Sequence, residues 1–430
     1  MESSEFDRRR APDCDCAMSR SDSTVAAAAA FPPRDTEQQA RAVAWACMAG
    51  LAVALGVGRF AFTPLLPLML ADGSLGLRAG GWLASANYAG YFVGALSCAR
   101  LAVEPARMVR FGLAATVLLT AAMGIGHALP VWLAARFVAG VVSAWTFVFV
   151  SQWGLRRLAA LQAGAASGLI YAGPGVGIVL TGLIGSALAG HRAASGWLGF
   201  AALSAVLSAA IWRVFGATAP ATRAEHAPTP GDTAARDAPT PRQADAVWLV
   251  ALYTMPGFGY IITATFLPVI ARAALPAGSP WPDLFWPMFG AALIPGALAA
   301  ARLPAHWDNR MLLAAGCALQ AAGIAAGIVW PTAAGFALGS VLIGLPFTAI
   351  TLFAMREARR LHGERAAGLM GYATASYGAG QIAGPLVAAP LASHYGSFSP
   401  ALWLAAAALL AGAAGFAAIA ARAARRGARP

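Results

Sequence analysis

The sequence predicts an all-α integral membrane protein of twelve transmembrane helices built as two six-helix repeats, on the strength of its composition, the spacing of its apolar runs and an internal repeat. Hydrophobic residues make up 59% of the 430 and charged residues only 11%, far outside the range of soluble domains. A bilayer core needs about 20 apolar residues per helix, and runs of that length recur from Ala42 to Ala421 with few internal charges. The repeat has an offset of about 200 residues. Gly56-Val57-Gly58 is followed by Leu66-Pro67 as Gly257-Phe258-Gly259 is by Leu267-Pro268. Gly94-Ala95-Leu96 with Ala99-Arg100 recurs as Gly296-Ala297-Leu298 with Ala301-Arg302, and Arg156-Arg157-Leu158 as Arg359-Arg360-Leu361.

In chain order the spans read as 42–70, 80–101, 108–128, 130–151, 164–189, 195–216, 246–271, 281–302, 310–330, 332–355, 366–391 and 400–421. They group into a six-helix bundle over 41–216 and a second over 246–421. Residues 1–40 mix Ser, Asp, Arg and Pro without the apolar core of a signal peptide and read as a disordered tail. Residues 217–245, with Pro228, Pro230, Pro239 and Pro241, read as a flexible linker, and 422–430 as a basic tail.

The net charge is +12, and all the positive charge comes from arginine, placed in short gaps between apolar runs rather than in one stripe. That placement argues against nucleic acid and for topology signals. With the tail cytoplasmic, the even-numbered loops hold Arg100, Arg107, Arg110, Arg156, Arg157, Arg213, Arg223, Arg236, Arg242, Arg302, Arg310, Arg356, Arg359, Arg360 and Arg365, against Arg78, Arg192 and Arg272 opposite. A bacterial inner membrane with both termini cytoplasmic is the expectation. Cys47, Cys98 and Cys317 lie in apolar spans; Cys14 and Cys16 stand alone in the tail, so neither metal nor cofactor is expected.

Two arginines fall inside spans, Arg59 and Arg136. Each is disfavoured by about 2.5–3.5 kcal/mol at a helix centre, so each needs a reason. Arg59 reads as an anion anchor in preference to a structural arginine, because its repeat equivalent is Tyr260 and symmetry does not demand the charge. Arg136, close after Pro130, reads as bracing neighbouring helices slightly ahead of touching substrate. Asn87 and Tyr91 share a helix face with Tyr88 adjacent; Thr374, Tyr377 and Gln381 share another. Tyr171 and Tyr260 add aromatic surface. Gln320 lies in the ninth span and is set aside. Every Asp and Glu reads as lying in a tail, linker or loop, and no histidine is central, so no protein proton carrier is evident. Coupling then falls to an exchanged anion, to a proton carried by the substrate, or to an edge acid such as Asp72 or Asp283.

The stretch Gly56-Val57-Gly58-Arg59-Phe60-Ala61-Phe62-Thr63-Pro64-Leu65-Leu66-Pro67-Leu68-Met69 resembles the first-helix signature of the YbfB/YjiJ branch of the major facilitator superfamily. Arg136-Phe137-Val138-Ala139-Gly140 resembles the superfamily's fourth-helix motif. Gly173-Pro174, and Gly380 with Gly384-Pro385, resemble the glycine-proline motif of antiporters. The resemblance covers about residues 42–421 and implies the major facilitator fold, with the second and eleventh helices lining a cavity at the midplane. Gly56, Gly58, Gly94, Gly140, Gly173, Pro174, Gly296, Gly380, Gly384 and Pro385 would then serve gating or helix packing. One departure stands out: Cys98 and Ala300 occupy the places of the superfamily's acidic gate residue.

No nucleophile, metal cluster or phosphate cradle lies among the spans, so an enzyme is not expected. The reading is a secondary transporter that moves a small solute, an organic anion first, by alternating access, with the bilayer and a co-transported proton or exchanged anion as partners. Efflux of hydrophobic or amphipathic compounds, and a non-transporting sensor of the same fold, are the alternatives.

Overall fold

The computed structural model describes residues 33–216, 241–304, 306–363 and 366–427, with no strand among them. Helix α1 (Pro33–Leu51) runs into a π-helical segment, Ala52–Val57, and after a turn continues as α2 (Phe62–Ala71). Then follow α3 (Leu77–Ser97), α4 (Pro105–Ile125), α5 (Leu129–Ala160), the short α6 (Ser167–Ile170), α7 (Gly173–Ala187) and α8 (Ala193–Ile211). The C-terminal set comprises α9 (Pro241–Ala274), α10 (Trp281–Arg302), α11 (Asn309–Val329), α12 (Ala333–Gly344), α13 (Phe347–His362), α14 (Ala366–Tyr395) and α15 (Ser399–Gly427).

Helix starts follow local chemistry. Proline in the first turn opens α4, α5, α7 and α10, where its missing N–H costs nothing. The Asp308 carboxylate accepts the Arg310 N–H at 2.9 Å to cap α11, and the Thr332 hydroxyl accepts the Gly335 N–H at 3.3 Å to cap α12. Gly363 ends α13 with a φ of 55°, which only glycine adopts freely.

Among the described residues, ten helical units are long and apolar enough to cross a membrane: Thr36–Ala71, Pro105–Ile125, Leu129–Ala160, Ser167–Ala187, Ala193–Ile211, Gln243–Ala274, Trp281–Arg302, Asn309–Val329, Ala333–His362 and Ser399–Arg425. Two long helices fall short in apolarity, α3 at 21 residues and α14 at 30. They carry Ser85, Asn87, Tyr88 and Tyr91, and Thr374, Ser376, Tyr377 and Gln381. These two polar helices pack against each other across the middle of the molecule. The N-terminal helices also meet the C-terminal ones, chiefly through α7 against α10 and α2 against α9. Leu118, Val206 and Val329, 70%, 67% and 72% exposed, belong to an apolar outer surface suited to lipid tails.

Several boundaries differ from the sequence reading. Helix α1 begins inside the stretch read as tail, α9 begins inside the linker, and α15 continues into the basic tail. The rest of those segments, Cys14 and Cys16 included, lies outside the described residues. The fifth span is interrupted at Tyr171-Ala172 and the tenth at Leu345-Pro346, where proline cannot donate to the preceding turn. Glu357 is not in a loop. It lies in α13, 1% exposed, and Arg360 clasps it with Nε at 2.8 Å and Nη2 at 2.6 Å. Arg310 (Nε 3.7 Å) and Asn309 (Nδ2 3.5 Å) approach the same carboxylate, so its charge is matched inside the helix rather than excluded from it.

Candidate functional site

The site starts from a broken helix. Across 52–60 the backbone shifts to i→i−5 bonding, with Gly58 N–H on the Val53 carbonyl (3.0 Å) and Phe60 N–H on the Leu55 carbonyl (3.1 Å). Pro64 has no N–H to offer the Phe60 carbonyl, which takes the Thr63 N–H at 3.2 Å instead. Such a break strands carbonyls, and inside a membrane each one must find a donor. Side chains supply them. Ser143 Oγ donates to the Ala54 carbonyl at 2.7 Å, and Asn87 Nδ2 to the Gly58 carbonyl at 3.4 Å and the Arg136 carbonyl at 3.0 Å. Arg136 spends Nη1 on the Gly58 carbonyl (3.3 Å) and Nη2 on the Arg59 carbonyl (3.0 Å), with Phe62 beneath its guanidinium at 5.1 Å. Arg136 and Asn87, both buried, hold the break in shape.

The break aims Arg59 inward. Its side chain, 5% exposed, lies against the rings of Tyr91 (4.1 Å to the centroid), Tyr88 (5.0 Å) and Phe60 (5.4 Å), an arrangement in which ring quadrupoles favour the cation. Nη2 donates to Gln381 Oε1 at 2.8 Å, while Nε has no partner. No carboxylate pairs with Arg59 among the described residues. Gln381 Nε2 in turn donates to the Tyr260 hydroxyl in a very short contact. The Tyr260 ring stacks on Tyr377 at 5.9 Å, Tyr377 stacks on Tyr253 at 4.7 Å, and Phe347 meets Tyr260 edge-on at 4.9 Å.

Arg59 and Tyr260 hold equivalent places in the repeat, and both reach Gln381. One turn farther along, Thr63 Oγ1 donates to the Ala264 carbonyl at 2.8 Å across a separation of 201 residues, the offset of the repeat itself. A residue that touches its own equivalent lies on the axis relating the two sets. Ser85 Oγ on the Ile382 carbonyl (2.8 Å) and Tyr88 with Thr265 (3.0 Å between hydroxyls) complete the polar links described between the sets. Relative to Arg59, these three links lie on the far side, away from the end where α8 stops and α9 starts. On the linker side Thr374 is exposed, and a side chain at Gly368 or Gly371 would meet open space.

The structure thus brings together Arg59, Tyr88, Tyr91, Tyr260, Tyr377 and Gln381, with Asn87 and Arg136 behind them. Tyr171 and Thr374 stand apart. Tyr171 packs on Phe147 at 6.4 Å within the N-terminal helices, and the Thr374 hydroxyl bonds the Met370 carbonyl at 2.8 Å. Helical spacing assigns Thr374 and Gln381 to one face, yet seven residues separate them by about 10 Å in depth. Thr63, Ser85, Thr265 and Ser143 escaped sequence reasoning because hydroxyls in apolar helices commonly bond their own turn.

Glycines set the crossings. A Cβ on Gly56 would fall 2.4 Å from the Gly177 Cα, and one on Gly257 2.3 Å from the Tyr377 carbonyl oxygen, with Gly380 reciprocally against Thr254. Gly140 meets the Asn87 carbonyl as Gly344 meets that of Phe289, and Gly94 meets Val141 as Gly296 meets Leu345. Gly173 against Met48 and Gly384 against Ile261 are similarly tight.

Long apolar helices threaded by buried polar links, with a caged cation between two helix sets, define a multi-pass membrane protein with the fold of a transporter. The chain belongs to the family described as uncharacterised MFS-type transporter YbfB, matched over residues 51–416. Among solved structures it is similar to a mutant of nucleoside transporter NupG, with a TM-score of 0.68, 14% identity, and coverage of 89% of this chain and 99% of that one. At that identity the likeness is one of fold. No curated protein matches the sequence.

Proposed function

We propose that the protein is a secondary transporter, not an enzyme, with α3 and α14 as its second and eleventh spans among twelve. Its two six-helix halves, meeting at the Thr63–Ala264 axis, exchange access to a small organic anion held at Arg59. The observation that carries this reading is the Arg59 guanidinium itself: buried, caged by tyrosines, and paired with no carboxylate among the described residues. A cation at membrane depth is costly and is kept for function; Arg136, also buried, is occupied with backbone carbonyls, and buried Arg310 with the Asp308 carboxylate. Links between the halves concentrate on the far side, so this conformation is the inward-facing one, with the linker side cytoplasmic by the arginine bias in a bacterial inner membrane. Tyr88, Tyr91, Tyr260 and Tyr377 contact the substrate, and Gln381 sits on the same guanidinium at 2.8 Å. The exchanged or co-transported ion is the remaining partner; Glu357, clasped by Arg360, is salt-bridged structure rather than a proton carrier.

The aromatic stack Tyr253, Tyr377 and Tyr260 also suits amphipathic compounds, which is the efflux reading. Proteoliposomes loaded with benzoate and assayed for counterflow of labelled benzoate separate these. Saturable exchange that benzamide does not inhibit supports the anion carrier. Inhibition by neutral aromatics as strong as by benzoate supports efflux of hydrophobic or amphipathic compounds, and no flux from protein that still binds benzoate supports a sensor.

A further inference from the structure

We infer that the Gln381 carboxamide occupies the place on Arg59 that the substrate carboxylate takes, so that binding an anion and unfastening Arg59 from α14 are one exchange. The inference rests on the anion reading above. Its ground is the half-filled edge of the guanidinium. An arginine presents Nε and Nη2 as a two-pronged fork that fits the two oxygens of a carboxylate. The same protein shows the filled fork twice: Arg310 holds Asp308 through Nε at 3.0 Å and Nη2 at 2.8 Å, and Arg360 holds Glu357 through Nε at 2.8 Å and Nη2 at 2.6 Å. At Arg59, Nη2 is met by Gln381 Oε1 at 2.8 Å, but Nε is buried with no partner. A carboxamide has only one oxygen, and its nitrogen is turned away to the Tyr260 hydroxyl.

A bound carboxylate would satisfy both prongs and add charge to a hydrogen bond that is now ion to neutral amide, so it displaces Gln381. Three consequences follow. Arg59, on the N-terminal helices, lets go of α14 on the C-terminal ones, leaving the links farther out to hold the halves. The substrate carries a single negative charge, because Arg136, although its Nε is also buried without a partner, has both Nη groups tied to the Gly58 and Arg59 carbonyls behind the cluster and so offers no two-pronged fork. Its body is flat and unsaturated, since the guanidinium lies between the rings of Tyr88, Tyr91 and Phe60 with Tyr260 beyond Gln381. The class is an aromatic monocarboxylate.

The test measures melting temperature and benzoate affinity of the purified full chain, its Gln381→Ala and Gln381→Glu variants, and Arg59→Ala. Gln381→Glu supplies the missing oxygen from within. It should melt higher than the parent without ligand and bind benzoate at least about tenfold more weakly. Gln381→Ala removes the competitor and should bind benzoate about tenfold more tightly, with benzamide unaffected in every protein. If Gln381→Ala weakens benzoate or leaves it unchanged while Arg59→Ala abolishes it, Gln381 is not a surrogate and the anion reading stands without this inference. A Gln381→Glu melting temperature no higher than that of Gln381→Ala overturns it whatever the ligands do. If no protein binds benzoate, the aromatic monocarboxylate falls together with the anion reading.

Discussion

The first membrane unit and α9 carry the same glycine motif and treat it differently. Gly56-Val57-Gly58-Arg59 sits in a π-helical break, whereas Gly257-Phe258-Gly259-Tyr260 runs through a continuous helix of 34 residues despite Pro256 and Pro268. The motif alone therefore does not break a helix; its neighbours decide. Matching the Gly140 and Gly344 contacts makes Asn87 and Phe289 equivalent, and counting from each glycine pairs Arg136 with Ser340 and Ser143 with Phe347. Where the N-terminal helices offer three side-chain donors to stranded carbonyls, the C-terminal ones offer two aromatic rings, packed edge to face at 5.7 Å, and a serine bonded to its own Phe336 carbonyl at 2.8 Å. Donors permit the break, and the break turns Arg59 into the interface. Rings keep α9 whole, and Phe347 packs on both Tyr260 and Phe60. The buried Arg59 cation lies on one side only of a repeated frame.

The sharpest way to break this comparison is to remove the donor. Arg136→Ala leaves the Arg59 carbonyl without a partner and a space behind it, and should cost about 2–5 kcal/mol. Its counterpart Ser340→Ala should cost under about 1 kcal/mol, near the average for polar contacts between membrane helices. Unfolding in detergent or bicelles measures both, and equal losses would mean the two sets are built alike at this level. A smaller effect should be shared. Gly56→Ala and Gly257→Ala each drive a methyl into backbone of the crossing helix, so both should lose about 1–3 kcal/mol. A loss confined to Gly56→Ala would show that the crossing belongs to the break rather than to the common frame.

Smallest is the effect at the far-side loops. Asp72 accepts the Ala193 N–H at 3.1 Å and the Ser74 N–H at 3.1 Å, while the corresponding turn after α9 is held by the Arg272–Asp283 pair. Burial pushes the Asp72 carboxyl up, but the bonds from Ser74 and Ala193 and the Arg192 charge outweigh it and hold the carboxyl below its ordinary 3.8. A lowered carboxyl pKa stabilises the folded protein above the ordinary value, and the benefit disappears as pH falls from 3.8 through the lowered one. Asp72→Asn should therefore erase a small stability difference between pH 7 and pH 3 without adding salt sensitivity, whereas Asp283→Asn should lower stability most at low ionic strength. Identical salt profiles would contradict the division.

Most of the frame was legible in the sequence because apolar length and charge placement are one-dimensional properties. Arg59, Tyr260 and Gln381 could each be named for being polar in a bilayer. What spacing could not supply was depth and partnership. It put Thr374 with Gln381, which the structure separates, and it told Arg59 from Arg136 by repeat position and distance from Pro130 alone, with no view of the Gly58 and Arg59 carbonyls that Arg136 bonds. Glu357 was read as a loop acid because the apolar run stops before it, although α13 continues to His362 and carries its own counterion three residues on.

The central claim, that Arg59 anchors an anion, is tested most directly by the ligand-induced rise in melting temperature of the parent and of Arg59→Ala with benzoate and with benzamide, since a ligand that binds only the folded state raises apparent stability. The account predicts stabilisation of the parent by benzoate alone and a loss of about 2–5 kcal/mol of binding in Arg59→Ala, which remains folded. Equal stabilisation of Arg59→Ala and parent by benzoate, or a parent that prefers benzamide, would contradict it.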